Sequence, residues 1–486
     1  MENLRDKYEV VIGLEVHAQL KTKTKIFAPD GCEFGCEQNT QISPITLGMP
    51  GVLPVLNKAV VNMGILTGLA LNCEIAEKCK FDRKQYFYAD LPKGYQTSQY
   101  DEPICGKGYL MVNGKKIGIT RAHLEEDAGK LVHAGADGLA GSSYSLLDLN
   151  RAGTPLLEIV SEPDMRSPQE ARAYMEELRN IVRYVGVCDG NLEEGSMRCD
   201  ANISIMPKGS NKFGTRAEIK NVNSFANVEN AINAEVKRQI ECLESGKKDE
   251  LCQETRRYDE QTNTTISMRK KVKSIDYKYF IEPNIPRIKI TNDFLEEIRS
   301  EIPKLPNARI KTYMEEYNLS ENDSKILARN KDIADYFDES IKLGLDSKTV
   351  ANWVISLILG ILSKENISIL EFYLSPRLLG QILTPLKNGE ISSKQAKELF
   401  AKALEEKSEP QSLIEKYGMK QMDNEEELSS IIKTILDNSP KQIELYHNGK
   451  TNMFDFFVGM TMKETKGKAN PLKVKEILTK ELEARK

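Results

Sequence analysis

Polar and apolar side chains alternate strictly along residues 197–205, MRCDANISI, which is the period of a β-strand with one buried face. The polar face carries a full set of hydrogen-bond donors and acceptors: Arg198, Asp200, Asn202 and Ser204. An edge strand beside solvent would also have a polar face. A strand that lines a functional site is the other interpretation, and the strand alone leaves both open.

The same alternation occurs in residues 12–20, IGLEVHAQL, with Glu15, His17 and Gln19 on the polar face. Side chains two residues apart on a strand lie about 6.5–7 Å from each other. A carboxylate and an imidazole at that spacing can share one metal ion or one water molecule. A lone Glu-x-His pair is weak evidence for a metal site, although the chain has only four histidines.

Two more segments supply carboxylates of unusual context. The segment at 119–130, ITRAHLEEDAGK, carries Glu125, Glu126 and Asp127. The segment at 154–164 places Glu158 among leucine, isoleucine and valine side chains. A carboxylate in an apolar strand is costly unless it is paired, hydrogen-bonded or bound to a cation. An ion pair with Arg151 or another arginine is one explanation, and a metal or catalytic site is the other.

Oxygen ligands with a single imidazole suit Mg²⁺ or Mn²⁺ better than Zn²⁺. A hard cation of this kind is what phosphoryl transfer from a nucleotide requires. The sequence has no GxxxxGK[ST] loop and no GxGxxG motif between a strand and a helix, so any use of ATP is of a non-P-loop kind. The Ser-rich loop at 140–145 lacks the further elements of an amidase, and no Ser–His–Asp or Cys–His arrangement is evident.

Length and pattern predict three domains. The first is rich in Gly, Pro and short alternating segments, with one clear helix at 225–246, and is predicted to be an α+β domain dominated by an antiparallel-sheet cradle. Helical period dominates after Pro-rich boundaries between 283 and 309, and 407–412 resembles a second linker. The predicted boundaries are 1–292, 293–408 and 409–486.

The last predicted helix begins at Pro471 with Asn470 as its cap, inside a basic segment. Residues 463–486 hold eight Lys or Arg against four acidic residues. A solvated helix face is the ordinary interpretation of such a run, and a patch that binds a nucleic-acid backbone is the sharper one. The candidate phosphate contacts are Lys466, Lys468, Lys473, Lys475 and Lys480.

Composition narrows the function classes. The formal net charge is −4, so any nucleic-acid binding must come from a local patch. The first residues form no secretory signal, and the most apolar run, at 350–362, is too short to cross a bilayer and predicts a buried helix. Nine scattered cysteines indicate free thiols in the cytoplasm. Cys32 and Cys36 could form half of a zinc site, but no second close pair follows.

Several motifs taken together closely resemble the GatB family, the B subunits of tRNA-dependent amidotransferases. They are IGLEVHAQL, LGMPGVLPVLN (47–57), KFDRKQYFYADLPKGYQ (80–96), HLEEDAGK, DLNRAGTPLLEIVSEPD (148–164), NLEEGSMRCDANIS and EIKNVNSF (218–225). The resemblance covers nearly the whole chain, including the helical middle and a small C-terminal domain similar to the YqeY type.

This resemblance implies an ATP- and Mg²⁺-dependent enzyme. Family members phosphorylate the side-chain carboxylate of Glu mischarged on tRNA(Gln), or of Asp on tRNA(Asn), and ammonia then displaces the phosphate. The ammonia comes from glutamine hydrolysed in a separate amidase subunit of the GatA type, which is bound through a small subunit of the GatC type. A cytoplasmic heterotrimer without membrane contact is therefore expected, with the helical and tail domains gripping the tRNA.

The resemblance also assigns roles to residues. It implies that His17, Glu125 and Glu158 are the metal ligands, with Glu15 beside them. Residues of the second alternating strand would line the same cradle: Arg198, Asp200 and Asn202. Lys93 and Glu126 match positions that resemble a polar gate on the ammonia path.

The chain departs from the family pattern in two places. SPIT at 43–46 stands where many members have CPVC, which removes the second half of a zinc site. FIEPN at 280–284 stands where the family has FPEPD, so Asn284 puts any role of that carboxylate in doubt. A catalytically silent tRNA-binding or assembly protein of the same fold is the main alternative, and a metal-dependent hydrolase is a weaker one. The sequence does not decide which mischarged tRNA is the substrate.

Overall fold

The two alternating segments pair with each other at the centre of an eight-stranded sheet. In this computed structural model β1 (Tyr8–Gln19) lies antiparallel to β10 (Met197–Pro207). The apolar members of β1 are fully buried, including Ile12, Leu14 and Val16. Because alternate side chains of a strand point to opposite faces, the polar members share the other face. The structure describes residues 7–133, 144–270, 277–419, 425–465 and 469–485.

Six further strands complete this sheet. They are β5 (Gly108–Val112), β6 (Lys115–Glu126), β9 (Pro155–Ser161), β11 (Ala217–Val222), β12 (Glu254–Asp259) and β13 (Thr264–Lys270). The strand order is β13-β12-β11-β10-β1-β9-β6-β5. All neighbours in this order are antiparallel except β11 and β12, which run parallel.

The described part of the chain also forms three small sheets. The first contains β3 (Asp82–Gln85), β4 (Tyr95–Ser98) and β14 (Phe280–Ile281). The others pair β2 (Lys78–Cys79) with β15 (Ile288–Lys289), and β7 (Lys130–His133) with β8 (Ser145–Asp148). The strand β4 lies beside β6, at the end of the large sheet that carries the acidic residues of β6.

Helices cover the apolar face of the large sheet. They are α1 (Lys58–Ala70), α2 (Pro168–Tyr184) and α3 (Phe225–Glu244), and α4 (Asn292–Ser300) packs on α1. The helix α3 packs on β10, β11 and β13, and its buried Glu235 accepts a hydrogen bond from Thr265 Oγ1 at 2.7 Å. Ser224 caps α3 by accepting from the backbone N–H of Asn227. With one face covered in this way, the polar face is left for a site.

The chain forms two compact units, Met1–Pro306 and Asn307–Lys486, and the second contains helices throughout its described part. Its helices are α5 (Pro306–Glu315, which begins at the boundary), α6 (Glu321–Ala328), α7 (Lys331–Lys342), α8 (Ser347–Trp353), α9 (Leu359–Glu365), α10 (Pro376–Lys387), α11 (Ser393–Glu406), α12 (Pro410–Lys416), α13 (Glu425–Asp437), α14 (Pro440–His447), α15 (Asn452–Glu464) and α16 (Pro471–Glu483).

Two separate apolar cores occur within the second unit. One joins α5 to α12, including Leu413 and Ile414 of α12, and the other joins the helices from α13 to α16. The helix predicted at 350–362 is present as α8 and α9 joined through a π-helical turn. Ser392 and Gln395 form a capping box at the start of α11.

The α+β fold class is confirmed, with the sheet in the first unit and helices in the second. The three-domain division at residues 292 and 408 stays a prediction. Within the described residues, no helix is both long and apolar enough to cross a lipid bilayer.

Candidate active site

The register of the strands places four polar residues in one row across the sheet. Arg198 of β10 lies opposite His17 of β1, and His17 lies opposite Glu158 of β9. On the far side of β9, Glu158 lies opposite His123 of β6. Glu125 follows two residues after His123 on the same face of β6. Segments far apart in sequence therefore meet at one place on the polar face.

His17, Glu125 and Glu158 form an acidic cluster. The Nε2 atom of His17 lies 3.4 Å from Glu125 Oε1 and 3.6 Å from Glu158 Oε2. One ligand atom from each of the three residues lies within 4.8 Å of the others. Such a set of atoms has the spacing that a single cation would require. Among the described residues, Glu158 forms no ion pair with an arginine, and Arg151 lies beside Asp127 instead.

The two carboxylates of the acidic cluster are in different electrostatic states. Burial and the neighbouring charge of Glu158 raise the pKa of Glu125. Burial also disfavours the charged form of Glu158, but the charge and hydrogen bond of His123, then of His17, hold its pKa well below the usual range. For His17, burial lowers the pKa, yet the hydrogen bond to Glu158 and the charges of both carboxylates raise it to about 9. The three side chains of the acidic cluster therefore shift one another's pKa.

The donor set fits Mg²⁺. Two carboxylates supply hard oxygen ligands, and one imidazole is compatible with Mg²⁺ or Mn²⁺. Burial makes the paired negative charge costly, which favours a bound cation. Glu15 lines the same cavity but lies outside the three-residue set, and its carboxylate accepts a hydrogen bond from Asn202 Nδ2 at 2.8 Å.

The acidic cluster lies in a cavity of about 710 Å³. An aromatic and basic wall lies on one side: Lys84, Tyr86, Tyr100, Tyr277 and Tyr279. The rings of Tyr100 and Tyr279 stack with centroids 4.2 Å apart. The cavity has room for a phosphate group together with a substrate carboxylate.

Two cationic side chains of the cavity, those of Arg198 and Lys220, are paired with carboxylates. Arg198 donates to Asp127 Oδ2 at 2.8 Å. Lys220 of β11 donates to Asp200 at 2.8 Å and lies 3.1 Å from Glu218. Burial alone would lower the pKa of Lys220, but Asp200 and Glu218 raise it, so Lys220 stays cationic. The predicted cradle residues Arg198, Asp200 and Asn202 therefore all lie in or beside the cavity, each held by a partner.

Lys93 and Glu126 meet on the opposite face of β6 from the acidic cluster. The Nζ atom of Lys93 donates to Glu126 Oε1, which also accepts from the backbone N–H of Thr97 at 2.8 Å. The Glu126 side chain is buried, with 4% exposure, and the Lys93 side chain is 14% exposed. The two residues border a second, small cavity of about 20 Å³. We call this space the small chamber.

Only part of the predicted basic tail can be located. Lys466 and Lys468 lie outside the described residues. Lys473, Lys475 and Lys480 lie on α16, and the Lys480 side chain is 73% exposed, 3.8 Å from Glu425. Their role in tRNA binding stays a prediction.

The structure shows which hydrogen bonds form at the two segments that depart from the family pattern. Thr46, within SPIT, donates to Asp30, and the Cys32 thiol donates to the carbonyl of Thr22. Asn284 donates to the carboxylate of Glu282 at 3.0 Å, and Glu282 forms a bidentate pair with Arg83. Asn284 thus supports a buried ion pair outside the acidic cluster.

Sequence reasoning missed His123, although its signal was present. His123 precedes Glu125 by two residues, the same spacing as Glu15 and His17. Its Nε2 lies 3.1 Å from Glu158 and 3.8 Å from Glu125. Only 3% of His123 is exposed, so it supports Glu158 from the side away from His17.

Family models match two parts of the chain. The model described as the GatB/GatE catalytic domain matches residues 10–296, and the model described as the GatB domain matches residues 335–482. The chain belongs to the GatB family. The first match contains the acidic cluster and the pair of Lys93 and Glu126, and the second contains the described lysines of α16.

Curated relatives extend the GatB assignment over almost the full length. The B subunit of the aspartyl/glutamyl-tRNA(Asn/Gln) amidotransferase from Synechococcus sp. (strain JA-2-3B'a(2-13)) is 48% identical over 482 residues, covering 98% of each chain. The protein of the same name from Thermodesulfovibrio yellowstonii is 48% identical over 478 residues, covering 98% of this chain and 99% of its own. The resemblance found in the sequence motifs is confirmed.

Proposed function

We propose that this chain phosphorylates the side-chain carboxylate of Glu on tRNA(Gln), of Asp on tRNA(Asn), or of both, and amidates it with ammonia. As a GatB family member it is one subunit of a glutamine-dependent, tRNA-dependent amidotransferase, which is a carbon–nitrogen ligase. The convergence of His17, Glu125 and Glu158 in one polar cavity is the observation that carries the proposal.

The chemistry consists of two displacements. A carboxylate oxygen of the aminoacyl group attacks the γ-phosphorus of ATP, the bond to the β,γ-bridging oxygen breaks, and ADP leaves. The nitrogen of ammonia then attacks the carbonyl carbon of the acyl phosphate, the carbon–oxygen bond breaks, phosphate leaves, and the nitrogen loses a proton. Phosphorylation is needed because a free carboxylate has no good leaving group.

The acidic cluster would hold Mg²⁺ through His17, Glu125 and Glu158. Bound there, Mg²⁺ supplies charge neutralisation for the phosphate oxygens of ATP. His123 holds the Glu158 carboxylate in place and in its anionic form. Glu15 is kept in the cavity wall by Asn202. These contacts fix the ligand side chains before substrate arrives, which reduces reorganisation during the reaction.

Cations of the same cavity would orient the anionic substrates. Arg198 and Lys220 each line the cavity and remain charged, because Asp127 and Asp200 favour their protonated forms. Fixed positive groups favour anions such as a carboxylate or a phosphate in a site shielded from water. We assign Arg198, Asp200 and Asn202 to this cradle.

Ammonia would enter from the opposite face of β6. Lys93 and Glu126 close the small chamber, and Asp127 lines both this chamber and the large cavity. This arrangement supports our proposal that the pair acts as a polar gate between an ammonia source and the acidic cluster. We propose that the source is a GatA-type amidase subunit, held with the help of a small GatC-type subunit, as the family resemblance implies.

We propose that the tail grips tRNA through the phosphate backbone. The described lysines lie on α16, and lysine contacts to phosphate add affinity without sequence information. A catalytically silent tRNA-binding role is the competing function. The intact acidic cluster, with each carboxylate held by named partners, favours the catalytic one.

The test is an amidation assay with the purified complex, ATP, Mg²⁺ and glutamine, in which Glu-tRNA(Gln) and Asp-tRNA(Asn) are supplied separately. We expect amide formation on at least one tRNA, loss of activity on chelation of Mg²⁺, and recovery on its return. A complex that hydrolyses glutamine but amidates neither tRNA would show that this chain is the silent form. The same assay identifies the substrate.

A further inference from the structure

A buried lysine borders the small chamber, and nothing assigned above uses it. Lys25 is only 1% exposed and lines the chamber together with Lys93 and Glu126. Its Nζ donates to the backbone carbonyl of Gln41 at 2.7 Å. Among the described residues, no carboxylate oxygen lies within ion-pair distance of this Nζ. Burial of a lysine without a paired carboxylate is costly, so a structural role alone explains Lys25 poorly.

The chamber has the size of a single small molecule. A volume of about 20 Å³ holds about one water-sized guest. Apolar walls come from Phe27, Ile45 and Leu91, so a guest finds few polar groups other than the charged ones. The small chamber can therefore hold one small molecule, and it is too small for any part of a nucleotide.

The polar groups of the chamber suit a guest that both donates and accepts. Within the described part of the chain, both hydrogen bonds to the Glu126 side chain go to Oε1. Gly153, with φ +80°, lies between the two groups: a Cβ there would lie 3.3 Å from Lys25 Cδ and 3.9 Å from Glu126 Oε2. A guest can donate to that Oε2 and accept from the ammonium of Lys25. Neutral ammonia has the required lone pair, whereas ammonium has four donors and no acceptor.

We propose that Lys25 makes the small chamber selective for neutral ammonia over ammonium. This inference rests on the proposed function, in which ammonia passes between Lys93 and Glu126. Ammonium in the chamber would face the positive charge of Lys25 in surroundings of low dielectric, where like charges repel strongly. Neutral ammonia avoids this repulsion, and only the neutral form has the lone pair that attacks the acyl phosphate.

The charge on Lys25 depends on several neighbours. Burial lowers its pKa to about 8, while Asp30, Cys32, Glu126 and Asp148 act in the opposite direction. Lys25 is therefore mostly cationic at neutral pH and loses its proton above about pH 8. The selectivity for neutral ammonia should therefore be strongest below about pH 8, where Lys25 is cationic and ammonium competes with ammonia for the small chamber.

The test uses the complete complex with its amidase and small subunits. The readout is amide formed on tRNA per glutamine hydrolysed, and the ammonium-supported rate of each variant serves as its internal reference. Lys25→Met and Lys25→Gln are compared with Lys93→Met and with Lys23→Met, an exposed lysine two residues away. For both Lys25 variants we expect the yield per glutamine to fall by about threefold or more at pH 6.5, and to approach the wild-type value above pH 8.

Each other result overturns the inference in a recognisable way. A normal yield at pH 6.5 in both Lys25 variants, with a reduced yield in Lys93→Met, means that the chamber works without selection by Lys25. An equal loss at every pH in both Lys25 variants means that Lys25 serves packing only. Normal yields in the Lys25 and Lys93 variants alike remove the ammonia route itself, which is a failure of the proposed function.

Discussion

Glu125 and Glu126 are neighbours in sequence but belong to two different sites. The side chain of Glu125 joins the acidic cluster, 3.4 Å from His17, whereas that of Glu126 meets Lys93 and a chamber with two lysines. Both residues belong to β6, and their side chains lie on opposite faces of the sheet because successive side chains of a strand point to opposite faces. Two carboxylates of equal intrinsic chemistry thus have different neighbours: Glu125 lies beside a second carboxylate, that of Glu158, whereas Glu126 is paired with a lysine.

This difference shows how a sheet can separate two reactants until they are needed. The face with Glu125 is suited to a cation and to phosphate, and the face with Glu126 is suited to a small neutral molecule. The end of β6 forms the partition, and Asp127 borders the cavities on both sides. Variants of the two glutamates therefore have different expected signatures.

Removal of one charge from the acidic cluster should have the largest effect. In Glu125→Gln or Glu158→Gln, we expect amidation to fall by more than about 100-fold with either glutamine or ammonium, since a ligand to the cation is lost. Amide formation on tRNA at limiting Mg²⁺ is the measurement, with Glu176→Gln on the exposed surface of α2 as the control. Near-normal turnover in both cluster variants would contradict the metal assignment.

The same substitution at Glu126, on the other face of β6, should affect the glutamine-supported rate more than the ammonium-supported rate. Glu126→Gln removes one charge-assisted hydrogen bond worth about 1.5 kcal/mol, so the ratio of glutamine- to ammonium-supported rates should fall by about tenfold. Both rates are measured in the same complex. If both rates fall together, Glu126 acts in the acidic cluster after all, and the partition is not functional.

His123 offers a way to sharpen the first effect. His123→Asn keeps a donor but moves it away from Glu158, so we expect the Mg²⁺ concentration for half-maximal rate to rise by about tenfold, with little change at saturating Mg²⁺. A titration of activity against Mg²⁺ measures this. A lowered rate that excess Mg²⁺ does not restore would assign His123 a direct role in the reaction.

The tail should affect neither glutamate site. Removal of residues 425–486 keeps α12, whose Leu413 and Ile414 belong to the preceding core. We expect a higher KM for aminoacyl-tRNA, an unchanged KM for ATP, and a salt slope shallower by about 0.7–0.9 for each tRNA phosphate that is no longer bound. Unchanged tRNA affinity and slope in the truncated complex would make the tail a module that binds protein instead.

The alternation of polar residues predicted which side chains share a face, and it did so correctly for β1 and β10. It could not predict which strands are neighbours, because register between distant segments depends on packing of the whole sheet. His17 meets Glu158 and Arg198 through pairings that cross about 140 and 180 residues of sequence. The family resemblance supplied the grouping that periodicity alone left open.

Lys25 and His123 show what escapes an interpretation of residues one segment at a time. KTKTK at 21–25 has the composition of a solvated turn, and only the fold shows that Lys25 is buried while Lys23 is exposed. The parallel pairing of β11 with β12 could not be predicted either, since the sequence of a strand does not reveal the direction of its partner.

The central position of β1 has a consequence for how the protein is made. This strand comes before both of its neighbours in the chain: β9 and β10 follow about 140 and 180 residues later. During synthesis its two edges remain unpaired until those segments emerge, and unpaired edges are prone to association with other chains. The acidic cluster therefore forms only after β9 has emerged and paired with β1, so protection of β1 amides from hydrogen exchange during synthesis would report the moment at which the active site is assembled.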